Sequence, residues 1–131
     1  MLRFDLVSPE RLLISSDVSQ VDLPGIEGDF GVLDGHAPLV TTLRPGILVI
    51  HRDGEPPMRI VINGGFAEVS PNRLTVLADT AVPIEEFDAA ALAGVIKDSE
   101  EDVADGTDGW QQDKLTRRLE QLRRLQAALA S

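Results

Sequence analysis

Apolar and polar residues alternate at the start of the chain, with Leu2, Phe4 and Leu6 set against Arg3 and Asp5. A period of two predicts a half-buried strand over residues 2–8. Ser8-Pro9-Glu10 reads as a turn, and residues 11–14 as the next strand. Alternation returns over residues 18–23, where Val21 and Leu23 oppose Asp22. Residues 47–50 form an unbroken β-rich run, as a strand buried on both faces or near a sheet centre requires. Asp53-Gly54 supplies the positive-φ pair of a two-residue hairpin turn, after which residues 58–62 return and Gly64-Gly65 breaks the strand. Residues 66–70 and 73–78 form another hairpin across Pro71-Asn72. Short strands parted by turn residues at close intervals predict an antiparallel sandwich or barrel.

The period changes at Pro83. Asp88 is placed to cap a helix whose Ala89, Leu92, Ile96 and Val103 share one face. Asp105-Gly106-Thr107-Asp108-Gly109 reads as a loop. Beyond it Leu115, Leu119, Leu122, Leu125 and Leu129 fall on a second apolar face, within roughly 120° at the helical 100° per residue. Two such seams joined by a polar loop predict an antiparallel helical hairpin over residues 84–131, after a β domain over residues 1–83. Alanine lets the helices approach closely but leaves little area to bury, so the pair is expected to be marginal unless it packs on the sandwich or on a partner.

Composition narrows the function. The 131 residues carry a net charge of −10, which argues against nucleic acid, because neutralising phosphate needs clustered Lys and Arg. The charge is uneven: residues 1–83 carry −5, residues 84–109 carry −8 and residues 110–131 carry +3. An acidic segment followed by a basic one suits mutual attraction, or a basic end meant for an acidic partner. There is no cysteine, hence no disulfide and no thiolate metal site. Nothing at the N-terminus has the apolar run of a signal peptide, and no stretch approaches the roughly 18 apolar residues of a membrane span. The expectation is a protein that is soluble or peripheral to a membrane.

Residues 23–46, LPGIEGDFGVLDGHAPLVTTLRPG, hold five of the eleven glycines and three of the eight prolines. Such density marks turns at positive φ and close backbone approaches, with short strands between them. The chemistry usually sought in such a stretch is missing. Gly25, Gly28 and Gly31 are not followed by the Lys-Ser/Thr or the helix of a phosphate cradle. Asp34 with His36 lacks the companions of an acid–base pair, and His51 adds too little for a zinc site. The pattern is one of a shaped surface.

This stretch carries a family resemblance. GDFGVLDGHAPLVTTLRPG, followed by NGGFAEVSPNRLTVLAD over residues 63–79, resembles the ε subunit of F-type ATP synthases, called δ in mitochondria. The resemblance covers nearly the whole chain, including a helical tail of the right length. It implies a sandwich of two sheets followed by a helical hairpin, and a non-catalytic rotor subunit without a cofactor. Such a subunit joins the γ subunit of the central stalk to the membrane c-ring. Its place is peripheral, on the cytoplasmic face of the inner membrane, and its hairpin transiently meets the α/β catalytic head. Carried onto this chain, Glu27, Asp29 and Phe30 match the contact with the c-ring, where a carboxylate meets Arg and Gln. His36 and Pro38 match the contact with γ. Lys114, Arg117, Arg118, Arg123 and Arg124 match the basic helix that presses on an acidic segment of the catalytic subunit and slows hydrolysis. Equally, those five cations suit a solvated face paired with the acidic first helix.

One departure stands out. Members that bind ATP carry Ile/Leu-Asp-x-x-Arg-Ala at the first helix, and here Phe87-Asp88-Ala89-Ala90-Ala91-Leu92 puts alanine in the arginine position. Two other classes remain to be weighed: a free-standing nucleotide-sensing domain, and a small sandwich enzyme or sugar-binding module. One Trp and no Tyr weigh against the latter.

Overall fold

A computed structural model describes residues 1–105 and 109–130, with the side chain of Trp110 left aside. The chain divides into two compact units, Met1–Glu86 and Phe87–Ser131. The first holds strands β1 (Leu2–Val7), β2 (Leu12–Val18), β3 (Gln20–Gly25), β4 (Gly28–Leu33), β5 (Leu39–His51), β6 (Met58–Ser70), β7 (Arg73–Ala78) and β8 (Ala81–Pro83), then a 3-10 turn at Ile84–Glu86. The second holds helices α1 (Ala89–Ala104) and α2 (Trp110–Leu129).

The predicted alternation holds where it is strongest. Leu2, Phe4 and Leu6 of β1, Val21 and Leu23 of β3, Leu48 and Ile50 of β5, and Leu74 and Val76 of β7 point into one core cluster and are almost wholly buried. The layers of this β-sandwich are not separate sheets. Hydrogen-bonded neighbours run in the continuous order β2-β1-β7-β6-β5-β3-β4, with β8 on β6. Every pairing is antiparallel except that of β1 with β7, which is parallel. No tight turn joins those two strands, so no turn dictates their direction.

Two local expectations give way. Asp53-Gly54 is not a two-residue hairpin: only Gly54 has positive φ, at 76°, and β5 ends at His51 while β6 resumes at Met58. Pro56 and Pro57 have no amide to donate, so the ladder cannot close down to the turn. Nor does Gly64-Gly65 break the strand, because β6 runs through it to Ser70. What changes there is which side faces inward. Ile60 and Ile62 are buried before the glycines, Ala67 and Val69 after them, so the inward parity shifts from even to odd. A strand has a period of two, so a parity change requires an irregularity between the halves.

Gly64 and Gly65 supply it, with φ of 98° and 150°. β5 makes the same change opposite, from Leu43 to Leu48 and Ile50, while its register with β6 is unbroken. The two long strands therefore turn a corner together. At that corner Gly46 lets Pro24 of β3 approach: a Cβ on residue 46 would lie 2.5 Å from the Pro24 Cβ.

In the second unit, Asp88 caps α1 as expected, its carboxylate accepting from the Ala91 amide at 3.1 Å. Leu92 and Ile96 of α1 and Leu119, Leu122 and Leu125 of α2 are buried, and Val103, Leu115 and Leu129 partly so. Ala89 is exposed, unlike the other members of its seam. The Gln112 side chain donates to the Val103 carbonyl at 3.1 Å, satisfying one of the last carbonyls of α1. Of the loop expected between the helices, residues 106–108 lie outside the described residues.

Candidate functional site

The β3–β4 hairpin ends in a tight tip. Gly25 pairs with Gly28, leaving Ile26 and Glu27 exposed between them. This tip is tied to β5 from behind. The Ile26 amide donates to the Thr42 carbonyl at 3.0 Å. Arg44 of β5 donates through Nη1 to the Gly25 carbonyl at 2.6 Å, and through Nη2 to the Asp29 carboxylate.

Arg44 is the buried charged side chain among the described residues, only 7 % exposed, and its Nε has no partner. Asp29 keeps 76 % of its side chain exposed despite that ion pair. The carboxylate is thus held from inside and presented outside. Phe30 is half-buried and packs against the core cluster, anchoring the base of the same turn.

Beside the tip, Asp22, Leu23, Asp29, Phe30, Gly31, Ile47 and Val49 line a shallow open concavity. Asp22 is engaged twice, accepting from Gln20 Nε2 at 2.6 Å and meeting His51 Nε2 at 2.9 Å. His51 therefore has an acid for a partner. Among the described residues no three His, Cys, Asp or Glu side chains gather as a metal site would need.

The other end of β4 presents the second sequence-predicted pair. His36 is half-buried, its Nδ1 donating to the Ala37 carbonyl at 2.7 Å, and Pro38 is exposed. Asp34 faces the Met1 ammonium at 3.4 Å, so it and His36 spend their polar groups separately. The loop closes against the β6–β7 turn, where the Gly35 amide donates to the Pro71 carbonyl.

Away from that turn, an outer face of the sandwich runs across five strands. The registers set Thr42 beside Phe66, Phe66 beside Leu77, Leu77 beside Val7, and Val7 beside Leu12. Three of these are large and open: Leu12 at 57 %, Phe66 at 56 % and Leu77 at 48 %. Val40, farther along β5, is 71 % exposed. Parallel to this apolar row lies a polar one. There Asp5 accepts from Ser15 Oγ at 2.7 Å and meets Arg73 Nη2 at 3.1 Å and Arg3 Nε at 3.8 Å. A contiguous apolar row on the solvent side of a well-tied sheet marks an interaction surface.

On α2, Lys114, Arg117, Arg123 and Arg124 are exposed and Arg118 is half-buried. Arg123 meets Glu100 of α1 at 3.3 Å, so at least this cation belongs to the hairpin's own ion pairing.

Sequence reasoning missed Arg44 and the apolar row. An arginine within LRPG reads as a surface residue, and no local pattern signals its burial. The row had a signal: Phe66 and Leu77 occupy the outward parity of β6 and β7, where Glu68, Arg73 and Thr75 are polar.

Comparison with known proteins agrees with this architecture. Residues 1–84 match the family described as the ATP synthase delta/epsilon chain, β-sandwich domain. The ATP synthase epsilon chain of Parvibaculum lavamentivorans is 48 % identical over 124 residues, covering 95 % of this chain and 94 % of its own. Epsilon chain 1 of Nitrobacter hamburgensis is 52 % identical over 126 residues, covering 96 % and 92 %. Among solved structures, a chain of the Euglena gracilis mitochondrial ATP synthase, in an assembly of OSCP, F1 and c-ring, superposes with a TM-score of 0.81. It shares 30 % identity, over 98 % of this chain and 81 % of that one. No helix among the described residues is long and apolar enough to cross a membrane. The sandwich, the two helices and these relatives together place the chain in the ATP synthase delta/epsilon family, to which it belongs as an epsilon-type chain.

Proposed function

We propose that the chain is a non-catalytic rotor subunit that joins the γ subunit of the central stalk to the c-ring, so that ring rotation and stalk rotation stay locked. The observation that carries this reading is the placement of two different surfaces on one rigid sandwich. One is the acidic β3–β4 tip, with Glu27 and Asp29 exposed over a half-buried Phe30. The other is the outer sheet face, with the open apolar row of Leu12, Leu77 and Phe66 and, farther along β5, the exposed Val40; Pro38 and His36 precede β5.

The chemistry of each surface fits a different partner. The tip offers carboxylates, which form charge-assisted hydrogen bonds with the Arg and Gln of polar ring loops. The apolar row offers side chains that each gain about 1.5–3 kcal/mol when fully buried, which suits a lasting contact with a stalk subunit. A torque-bearing link must not yield between its two contacts, and the continuous strand ladder provides that stiffness. Such work places the chain on the cytoplasmic face of the membrane, held there by its partners. The hairpin is in this reading a weak brake on hydrolysis. Its cations Lys114, Arg117, Arg118 and Arg124 would meet the catalytic head only by leaving the neighbourhood of an acidic α1.

The test is attachment of the full chain to a γ–ring subassembly. Asp29→Asn should weaken attachment about tenfold, while Asp34→Asn, at the other end of β4, should leave it within twofold. Equal effects would overturn the assignment of the ring contact to the tip.

A further inference from the structure

The buried guanidinium of Arg44 is unlike any other charged group described in this protein, and the tip geometry gives it a task. We infer that Arg44 is a positioning residue: it locks the β3–β4 tip in the one conformation that presents Asp29 and Glu27 for docking. The inference rests on the reading of that tip as the ring contact.

The tip is fastened to β5 by backbone pairing, Gly25 opposite Leu43, and by the Arg44 side chain, which makes two further bonds. Nη1 holds the Gly25 carbonyl at 2.6 Å and Nη2 holds the Asp29 carboxylate, so one planar group spans both strands of the hairpin. A backbone bond from the Ile26 amide to the Thr42 carbonyl lies beside them. Without Arg44 the tip keeps its backbone pairing of Gly25 with Gly28, but no side chain ties Gly25 to Asp29 and Asp29 loses its cationic partner. A two-stranded tip left with its backbone pairing alone samples more conformations, and docking pays for each one excluded.

The guanidinium suits this better than an ammonium. It offers donors in a fixed plane, two of which diverge here onto different acceptors, whereas a lysine nitrogen is a single point on a flexible stem. The cost of burial also argues for a purpose. A charged group at 7 % exposure with an unpartnered Nε is not a stability-optimal choice for a corner position. Its counter-ion is open to water, so losing Arg44 does not strand a buried carboxylate. Arg44→Met should therefore fold and melt near the wild type while freeing the tip. That separates positioning from folding.

The experiment uses the full chain, free and in the assembled rotor. In the free chain, amide hydrogen exchange at Ile26 and Phe30 should accelerate at least tenfold in Arg44→Met, with the β1 and β7 amides unchanged. Arg44→Lys should restore part of that protection. In the assembly, ring attachment should fall about tenfold for Arg44→Met, and Arg44→Lys should recover part of the loss. Unchanged tip exchange in Arg44→Met, with or without an attachment defect, would overturn the inference. Faster tip exchange with full attachment would overturn the inference too, and with it the ring-contact reading on which it rests. A uniform rise in exchange across β1 and β7 would show a structural role and count against positioning.

Discussion

Replacing Gly65 by alanine should destabilise the sandwich far more than its size suggests. The added Cβ would lie 2.0 Å from the Leu77 carbonyl oxygen and 3.0 Å from the Ala78 Cα. Ordinary carbon–oxygen contacts are about 3.3–3.6 Å, so β7 or β6 must move by more than about an ångström. Both strands are flanked on each side, which leaves little room to yield. Residue 65 also sits at a φ of 150°, which side-chain-bearing residues rarely adopt. Backbone strain of this kind costs about 1–3 kcal/mol, and overpacking about 1–3 kcal/mol more. The sum, roughly 2–6 kcal/mol, is a large part of the about 5–15 kcal/mol that holds a domain together.

For a unit of this size each kcal/mol lowers the melting temperature by about 4–8 °C, so a fall of at least about 8 °C is expected. Gly54→Ala is the control, because residue 54 has positive φ, at 76°, with nothing within 4 Å of an added Cβ. It carries conformational strain alone, about 1 kcal/mol. Calorimetry of the full chain, following the transition of the β unit, is the assay. If Gly65→Ala melts no lower than Gly54→Ala, the corner is not where the two layers are fixed.

Other outcomes follow from the second unit. MgATP should not bind appreciably: calorimetry should find no site tighter than roughly 100 µM, about −5.5 kcal/mol. The reason is that Ala91 stands where a phosphate-binding arginine would be needed, and the Asp88 carboxylate already caps α1. Removing residues 87–131 should raise ATP hydrolysis by the assembled complex only partly, and high salt should reduce the difference, because the exposed cations of α2 act through screened charge. Gly94→Ala, in open space within α1, should stabilise the hairpin by about 0.5–1 kcal/mol on the calorimeter.

The β unit was legible wherever one face of a strand is buried and the other wet, as along Leu2, Phe4 and Leu6. It was illegible where geometry depends on partners remote in sequence. Gly64-Gly65 looks like a strand end because glycine favours neither face. Only the opposing change at Leu43 to Leu48 on β5 reveals a corner. The parallel pairing of β1 with β7 leaves no local trace, since those strands are joined by most of the domain. At the candidate site, the acidic tip could be read from Glu27-Gly28-Asp29, but its fastening could not. Arg44 acquires its meaning from Gly25 and Asp29, which lie on other strands, and burial of an arginine has no periodic signature. The helices were the reverse case: Leu119, Leu122 and Leu125 make a seam that i, i+3 spacing displays directly.

The central claim, that this chain locks stalk to ring, is tested most directly by proton pumping in membrane vesicles. The complex is assembled with and without the chain, and pumping is measured per ATP hydrolysed. With the chain present the ratio should be high. Without it, hydrolysis should continue while pumping falls at least several-fold, and adding back the purified chain should restore it. An unchanged ratio in a complex shown to lack the chain would contradict the account.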